Sequence, residues 1–142
     1  MRAIGILLAL TFAFSGVALA DGPRGKWSMA DRKVIVKLQP CGENLCGRII
    51  GLKEPTYADG TKKIDRYNEN KSLRARQLMG LALLSNMKPA GENSWKGKIY
   101  NPDDGHTYSA TIKLNGEEMK LQGCVAGILC KTTKFTRVCL GT

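Results

Sequence analysis

The sequence predicts an all-β chain: a single antiparallel β-barrel of about eight strands, with one short helix in the long loop after the third strand. Three observations carry the prediction. Short segments of strand character recur along the chain with turn signals between them. Alternation is plainest in the sixth, where Tyr108, Ala110, Ile112 and Leu114 share one face and Ser109, Thr111 and Lys113 the other. Only the region after Leu52 has helical character. Eight antiparallel strands in about 120 residues favour closure, because a barrel removes the unpaired edges that an open sheet exposes. A two-sheet sandwich is the structural rival.

Gly25 to Met29 opens the domain, and KVIVKLQ from Lys33 to Gln39 is β-branched and aliphatic. The turn PCGENLC carries Pro40, Gly42 and Asn44, and CGRIIGL returns from Cys46 to Leu52. Five further segments follow: Gly80 to Met87, Ser94 to Tyr100, Thr107 to Leu114, Met119 to Cys124 and Lys131 to Val138. A barrel of this strand number is either filled by side chains or just able to hold one small ligand.

Between Leu52 and Gly80 lie 27 residues with few aliphatic side chains and dense charge. A connection this long in a small domain tends to be a lid or binding loop. Its second half carries a helix start signal, Asn68 or Asn70 as cap, followed by KSLRARQLM, so the predicted helix lies here, across a barrel mouth. From Lys62 to Arg76, Lys62, Lys63, Arg66, Lys71, Arg74 and Arg76 oppose only Asp65 and Glu69. A helix cannot aim Arg74 and Arg76 in one direction, which leaves one of them to pair with Asp65.

The first twenty residues place Arg2 before an apolar run that ends in Ala18-Leu19-Ala20, the pattern of a secretory signal peptide. Residues 21–142 then form one domain, and the location is periplasmic or secreted, with no membrane span. Without Arg2 the chain holds 21 basic and 12 acidic residues, a net charge of +9. In an exported protein that field favours anionic lipid, lipopolysaccharide, acidic glycan or acidic protein over nucleic acid.

Five cysteines fit an oxidising compartment. Neither close pair has the two-residue spacing of a zinc or redox knuckle, and one histidine is too few for a mixed metal site, so no metal or cofactor is expected. Cys41 with Cys46, and Cys124 with Cys130, read as local disulfides, each stabilising by roughly 2 to 3 kcal/mol at best. Cys139 is left over, either free or bonded to another molecule.

The stretch YNPDDGHTYSA, from Tyr100 to Ala110, holds two adjacent carboxylates and the lone histidine. Nucleophilic chemistry at His106 needs an orienting group and a nucleophile, and nothing local supplies both. Asp103 and Asp104 are adjacent, whereas the carboxylates of glycoside cleavage flank a bond from opposite sides. A turn has a direct mechanism: Pro102 presets φ, an aspartate accepts backbone amides, and Gly105 takes the left-handed conformation. Tyr100 and Tyr108 are then candidate cross-strand neighbours at the hairpin base.

Gly25-Lys26-Trp27 near one end and Thr136-Arg137 near the other resemble the first and last strands of lipocalin-like barrels, in which an arginine stacks on the tryptophan and closes the barrel. Trp27 and Arg137 look like that structural pair here. More widely, the chain resembles the small exported bacterial proteins of the domain of unknown function 2147. The resemblance rests on GKW at Gly25, LCGRII from Leu45, the central positions Asp65, Asn68, Leu73, Arg74, Arg76, Gly80 and Leu81, WKGKIYNPDDGHTYSA from Trp95, LQGC from Leu121 and FTRV from Phe135. Asn70, Gln77 and Phe135 depart from it, standing where an acid, a proline and a tryptophan are usual. It implies a lipocalin-like barrel in the envelope and no stated activity.

The resulting expectation is a non-enzymatic periplasmic protein holding a small amphipathic or apolar ligand, such as a fatty acid or lipid fragment. Asp65, Asn68, Arg74 and Arg76 are the candidate ligand-binding residues, with Arg74 or Arg76 meeting an anionic head. The alternative is an envelope interaction protein whose basic surface binds an acidic glycan, lipopolysaccharide or protein. An enzyme built on His106 is a third reading.

Overall fold

Eight strands follow one another around a closed antiparallel barrel, each paired with the next, and the last pairs back onto the first. The computed structural model describes residues 22–138, so the predicted signal peptide and Cys139 lie outside the described residues. The strands are β1 (Gly25–Met29), β2 (Val34–Cys41), β3 (Asn44–Leu52), β4 (Ala82–Pro89), β5 (Ser94–Asn101), β6 (His106–Asn115), β7 (Glu118–Val125) and β8 (Leu129–Arg137). Closure is made by the register Trp27 to Arg137, Ser28 to Thr136 and Met29 to Phe135, which rules out the sandwich.

In such a meander, alternate connections emerge at opposite ends of the barrel. The β2–β3, β4–β5 and β6–β7 turns mark one end, here called the closed end, together with Gly22 and Val138. The β1–β2 link, residues 53–81, the β5–β6 turn and the β7–β8 turn mark the other, the open end. The packed core sits toward the closed end and includes Trp27, Leu38, Leu45, Met87, Ile112 and Met119. Each such side chain contributes about 1.5 to 3 kcal/mol on burial. Trp27 is fully buried, its indole Nε1 donating to the Pro23 carbonyl at 2.8 Å. The Arg137 guanidinium lies 4.3 Å from the Trp27 ring centroid and donates to the carbonyls of Arg24 (2.8 Å) and Gly22 (3.0 Å).

Both close cysteine pairs are disulfides, Cys41–Cys46 and Cys124–Cys130. Cys124 and Cys130 are direct cross-strand partners, so the β7–β8 hairpin continues past its bridge.

The helix expected in the long loop is a single 3-10 turn, Lys71–Leu73, capped by the Asn70 side chain, which accepts from Ser72 N at 3.0 Å. It stops there because the following residues are claimed by another partner. Asp65 N donates to Arg76 O and Leu78 N to Lys63 O, both at 2.9 Å, around the bridge between Ile64 and Gln77. That pairing requires extended backbone, and a helix through Arg76 would break it.

Candidate functional site

The long loop is held to the barrel by one buried carboxylate. Asp65 is fully buried, and an ionised group in that position needs its lone pairs filled. Arg76 supplies Nε and Nη2 to Oδ2, each at 2.8 Å, and Asn68 Nδ2 reaches the same oxygen at 2.8 Å. The Tyr100 hydroxyl donates to Oδ1 at 2.5 Å, and Asn68 Nδ2 lies 3.0 Å from the Tyr100 oxygen. Arg74 points elsewhere, its Nε donating to the Asn68 carbonyl at 2.7 Å. Burial, and then the hydrogen bond to Asp65, push the Tyr100 hydroxyl above its ordinary pKa.

Asp65, Asn68 and Arg76, three of the candidate ligand-binding residues, are brought together with Arg74 beside them, and their hydrogen bonds run to one another and to Tyr100. Tyr100, from β5, is the member that sequence reasoning missed. Nothing in a lone tyrosine 35 positions away signals a carboxylate partner.

A second contact docks the loop on the β5–β6 turn. Gly105, at φ 78°, donates its N–H to the Asn101 carbonyl at 2.8 Å, closing the turn. A Cβ at Gly105 would overlap the Tyr67 carbonyl, so the glycine is required both by its backbone angle and by the loop above it. Asp104 accepts from the His106 amide (2.9 Å), Asn101 Nδ2 (3.0 Å) and the Tyr108 hydroxyl (2.6 Å). Desolvation raises the Asp104 carboxyl, but the bonds from Tyr108, His106 N and Asn101 outweigh it and hold the group below its usual value. His106 Nδ1 faces Glu69 Oε1 at 2.9 Å, a third tie between turn and loop.

Tyr100 and Tyr108 are not the cross-strand neighbours anticipated. Tyr100 pairs with Thr107 and Tyr108 with Ile99, so the two tyrosines leave the sheet on opposite faces. Each hydroxyl finds its own carboxylate.

A cavity of about 720 Å³ opens at the end of the barrel away from Trp27. Its walls include Val36, Ile49, Leu84, Ile99, Leu121 and Phe135, and its rim carries Lys33, Lys53 and Lys63 with Asp31, Glu54 and Asp103. On β8, Lys131, Thr133 and Phe135 share the inward face, so Lys131 reaches the wall near the mouth. Gly123, its register partner on β7, adds no side chain of its own there. Asp65, Asn68, Arg74 and Arg76 do not line this cavity. Among the described residues no cluster of histidine, cysteine, aspartate and glutamate is arranged to hold a metal ion.

The end-to-end match of this barrel, hairpin and loop to one bacterial sequence profile, over residues 25–137, decides the family. The chain belongs to the family described as "Uncharacterized protein conserved in bacteria (DUF2147)". The barrel is also similar to a solved structure, protein HP1028 from Helicobacter pylori, described as belonging to the lipocalin family. The two share 25% sequence identity over 82% of this chain and 83% of that one, with a TM-score of 0.68. A comparison with curated proteins finds no match. The DUF2147 chain thus has a lipocalin-like barrel, and no helix among its described residues is long and apolar enough to cross a membrane.

Proposed function

We propose that this DUF2147 protein is a non-enzymatic periplasmic binding protein that holds a small amphipathic molecule, such as a fatty acid or lipid fragment, in its barrel. The observation that carries the reading is the largely apolar cavity of about 720 Å³, opening at the end of the barrel away from Trp27, with a lysine on its wall. Small-molecule sites of this kind span roughly 300 to 1,000 Å³ and combine apolar lining with a few placed polar groups. The apolar tail packs against Ile49, Leu84, Ile99 and Phe135, and the anionic head meets Lys131, with Lys33 and Lys53 at the rim. Lys131 takes the role anticipated for Arg74 or Arg76, because the Arg76 guanidinium is committed to Asp65 and Arg74 lies outside the cavity. Two disulfides and the apolar leader support the periplasmic location.

The test is solvent extraction of protein purified from the periplasm, followed by mass spectrometry, and displacement of a fluorescent fatty acid. Bound lipid and saturable displacement, weakened in Lys131→Glu, are expected. No bound species together with no displacement overturns the reading.

A second reading uses Lys62, Arg66 and Lys71, exposed on the loop, as a surface for acidic glycan, lipopolysaccharide or protein. Binding that collapses at high salt and is unaffected by occupation of the cavity would favour it.

A further inference from the structure

Beyond its disulfide, the β7–β8 hairpin ends in an apolar tip. Val125 pairs with Leu129 one step past the bridged cysteines. Ala126 and Gly127 then turn at φ 50° and 70°, and Ile128 N donates to Val125 O at 3.1 Å. Val125, Ile128 and Leu129 are left 49%, 84% and 74% exposed. Ladder pairing, the bridge and the tight turn hold the tip beyond the packed wall, with Val125 and Leu129 on the face that continues the lumen, so the three aliphatic side chains stay in contact with water. A cluster of exposed aliphatic groups on a rigid support marks a contact surface.

Charge says what the surface contacts. From Met119 to Thr142 the chain has no aspartate or glutamate, while Lys120, Lys131, Lys134 and Arg137 lie in that stretch. Lys98 lies beside Val125 and Ala126 in a shallow depression on the barrel surface. Lys98, Lys131 and Lys134 make no ion pair among the described residues. An apolar tip on a basic, acid-free stem complements an anionic bilayer, with aliphatic groups at the acyl boundary and ammonium groups at the phosphates. Val125 and Leu129 also line the mouth of the cavity. Docking at the tip therefore brings the mouth against lipid.

We propose that the β7–β8 tip, Val125, Ile128 and Leu129 flanked by Lys98 and Lys131, docks the open end of the barrel on an anionic lipid bilayer. The purpose of docking, passage of an amphipathic molecule between bilayer and cavity without crossing water, rests on the function proposed above. The docking itself does not.

The experiment is co-sedimentation of the mature chain with vesicles of phosphatidylglycerol and phosphatidylethanolamine, and with vesicles of phosphatidylcholine alone. Sedimentation with the first and little with the second is expected. Ile128→Asp lowers partitioning about tenfold. Lys98→Glu lowers it about fivefold or more, on the anionic vesicles only. Neither side chain lines the cavity, so fatty-acid displacement in solution stays at the wild-type level in both. Equal sedimentation of wild type and Ile128→Asp, or equal binding to neutral vesicles, overturns the proposal. Absence of vesicle binding with self-association that Ile128→Asp abolishes overturns it in favour of a second copy of the chain. Vesicle docking without fatty-acid displacement sinks the cavity reading and leaves the docking standing.

Discussion

The Tyr100 hydroxyl, on a barrel strand, donates to the buried carboxylate of Asp65 in the long loop. With Arg76 and Asn68 on the other oxygen, this bond makes the loop part of the folded barrel, although it contributes little of its own apolar core.

Removing either end should therefore free the loop before it unfolds the barrel. Tyr100→Phe leaves Asp65 Oδ1 short of a donor, at a cost of about 1 to 3 kcal/mol. Asp65→Ala strands the donors of three side chains and costs at least as much, moderated because Arg76 is partly exposed and water can reach it. Limited proteolysis and hydrogen exchange should both show residues 53–79 opening while amides of β5 to β7 stay protected. Loss of protection across the whole barrel at once would refute a loop-level role.

Gly105→Ala should act on the same loop from the turn side. The methyl group meets the Tyr67 carbonyl, and a left-handed backbone angle costs an L-residue a further 1 to 2 kcal/mol, roughly. The expected result is a lower melting temperature with a more protease-sensitive loop. Unchanged cleavage would show that the loop does not rely on this contact.

Filling the lumen separates the cavity from the surface. Thr133→Trp, from the inward face of β8, should abolish fatty-acid displacement with the circular dichroism of the barrel intact. Lys131→Glu should instead weaken charged fatty acids and leave their uncharged alcohol analogues nearly unaffected. Equal loss for acids and alcohols would take Lys131 out of head-group recognition.

At the closed end, Arg137→Ala removes the cation over Trp27 together with two hydrogen bonds to carbonyls near the N-terminus. A loss of about 1 to 3 kcal/mol is expected in chemical denaturation. Tryptophan emission should shift toward the red as Trp27 gains water. An unshifted spectrum with full stability would show that the stack closes nothing.

The β5–β6 turn should also respond to acid. The bonds to Asp104 hold its carboxyl below the ordinary aspartate value in the folded protein, so they stabilise the turn above the ordinary aspartate range and are lost as pH falls through the lowered folded value. Carboxyl NMR should place its midpoint below 3.8, and Tyr108→Phe should move the midpoint upward. A Tyr108→Phe midpoint identical to wild type would remove Tyr108 as a cause.

Strand count and turn chemistry were legible because they are local: the alternation from Tyr108 to Leu114 and the Pro102 to Gly105 turn each depend on neighbours within a few residues. The helix reading of KSLRARQLM was sound as propensity and was overridden beyond Leu73 by pairing with Lys63 and Asp65. Basic residues in the loop were visible as charge, but sequence alone could not show that Arg76 spends its guanidinium on a buried partner.

From its sequence alone, this chain determined an eight-stranded antiparallel meander, its disulfide partners and the turn at Gly105, since each follows from side-chain periodicity, spacing or backbone angle. Tertiary structure decided which end opens, that Asp65 is sealed by Tyr100, and that Lys131 and not Arg76 faces the lumen. The physical reason is that inward and outward faces, and contacts across tens of residues, are set by strand register and barrel closure, which no local stretch of sequence contains.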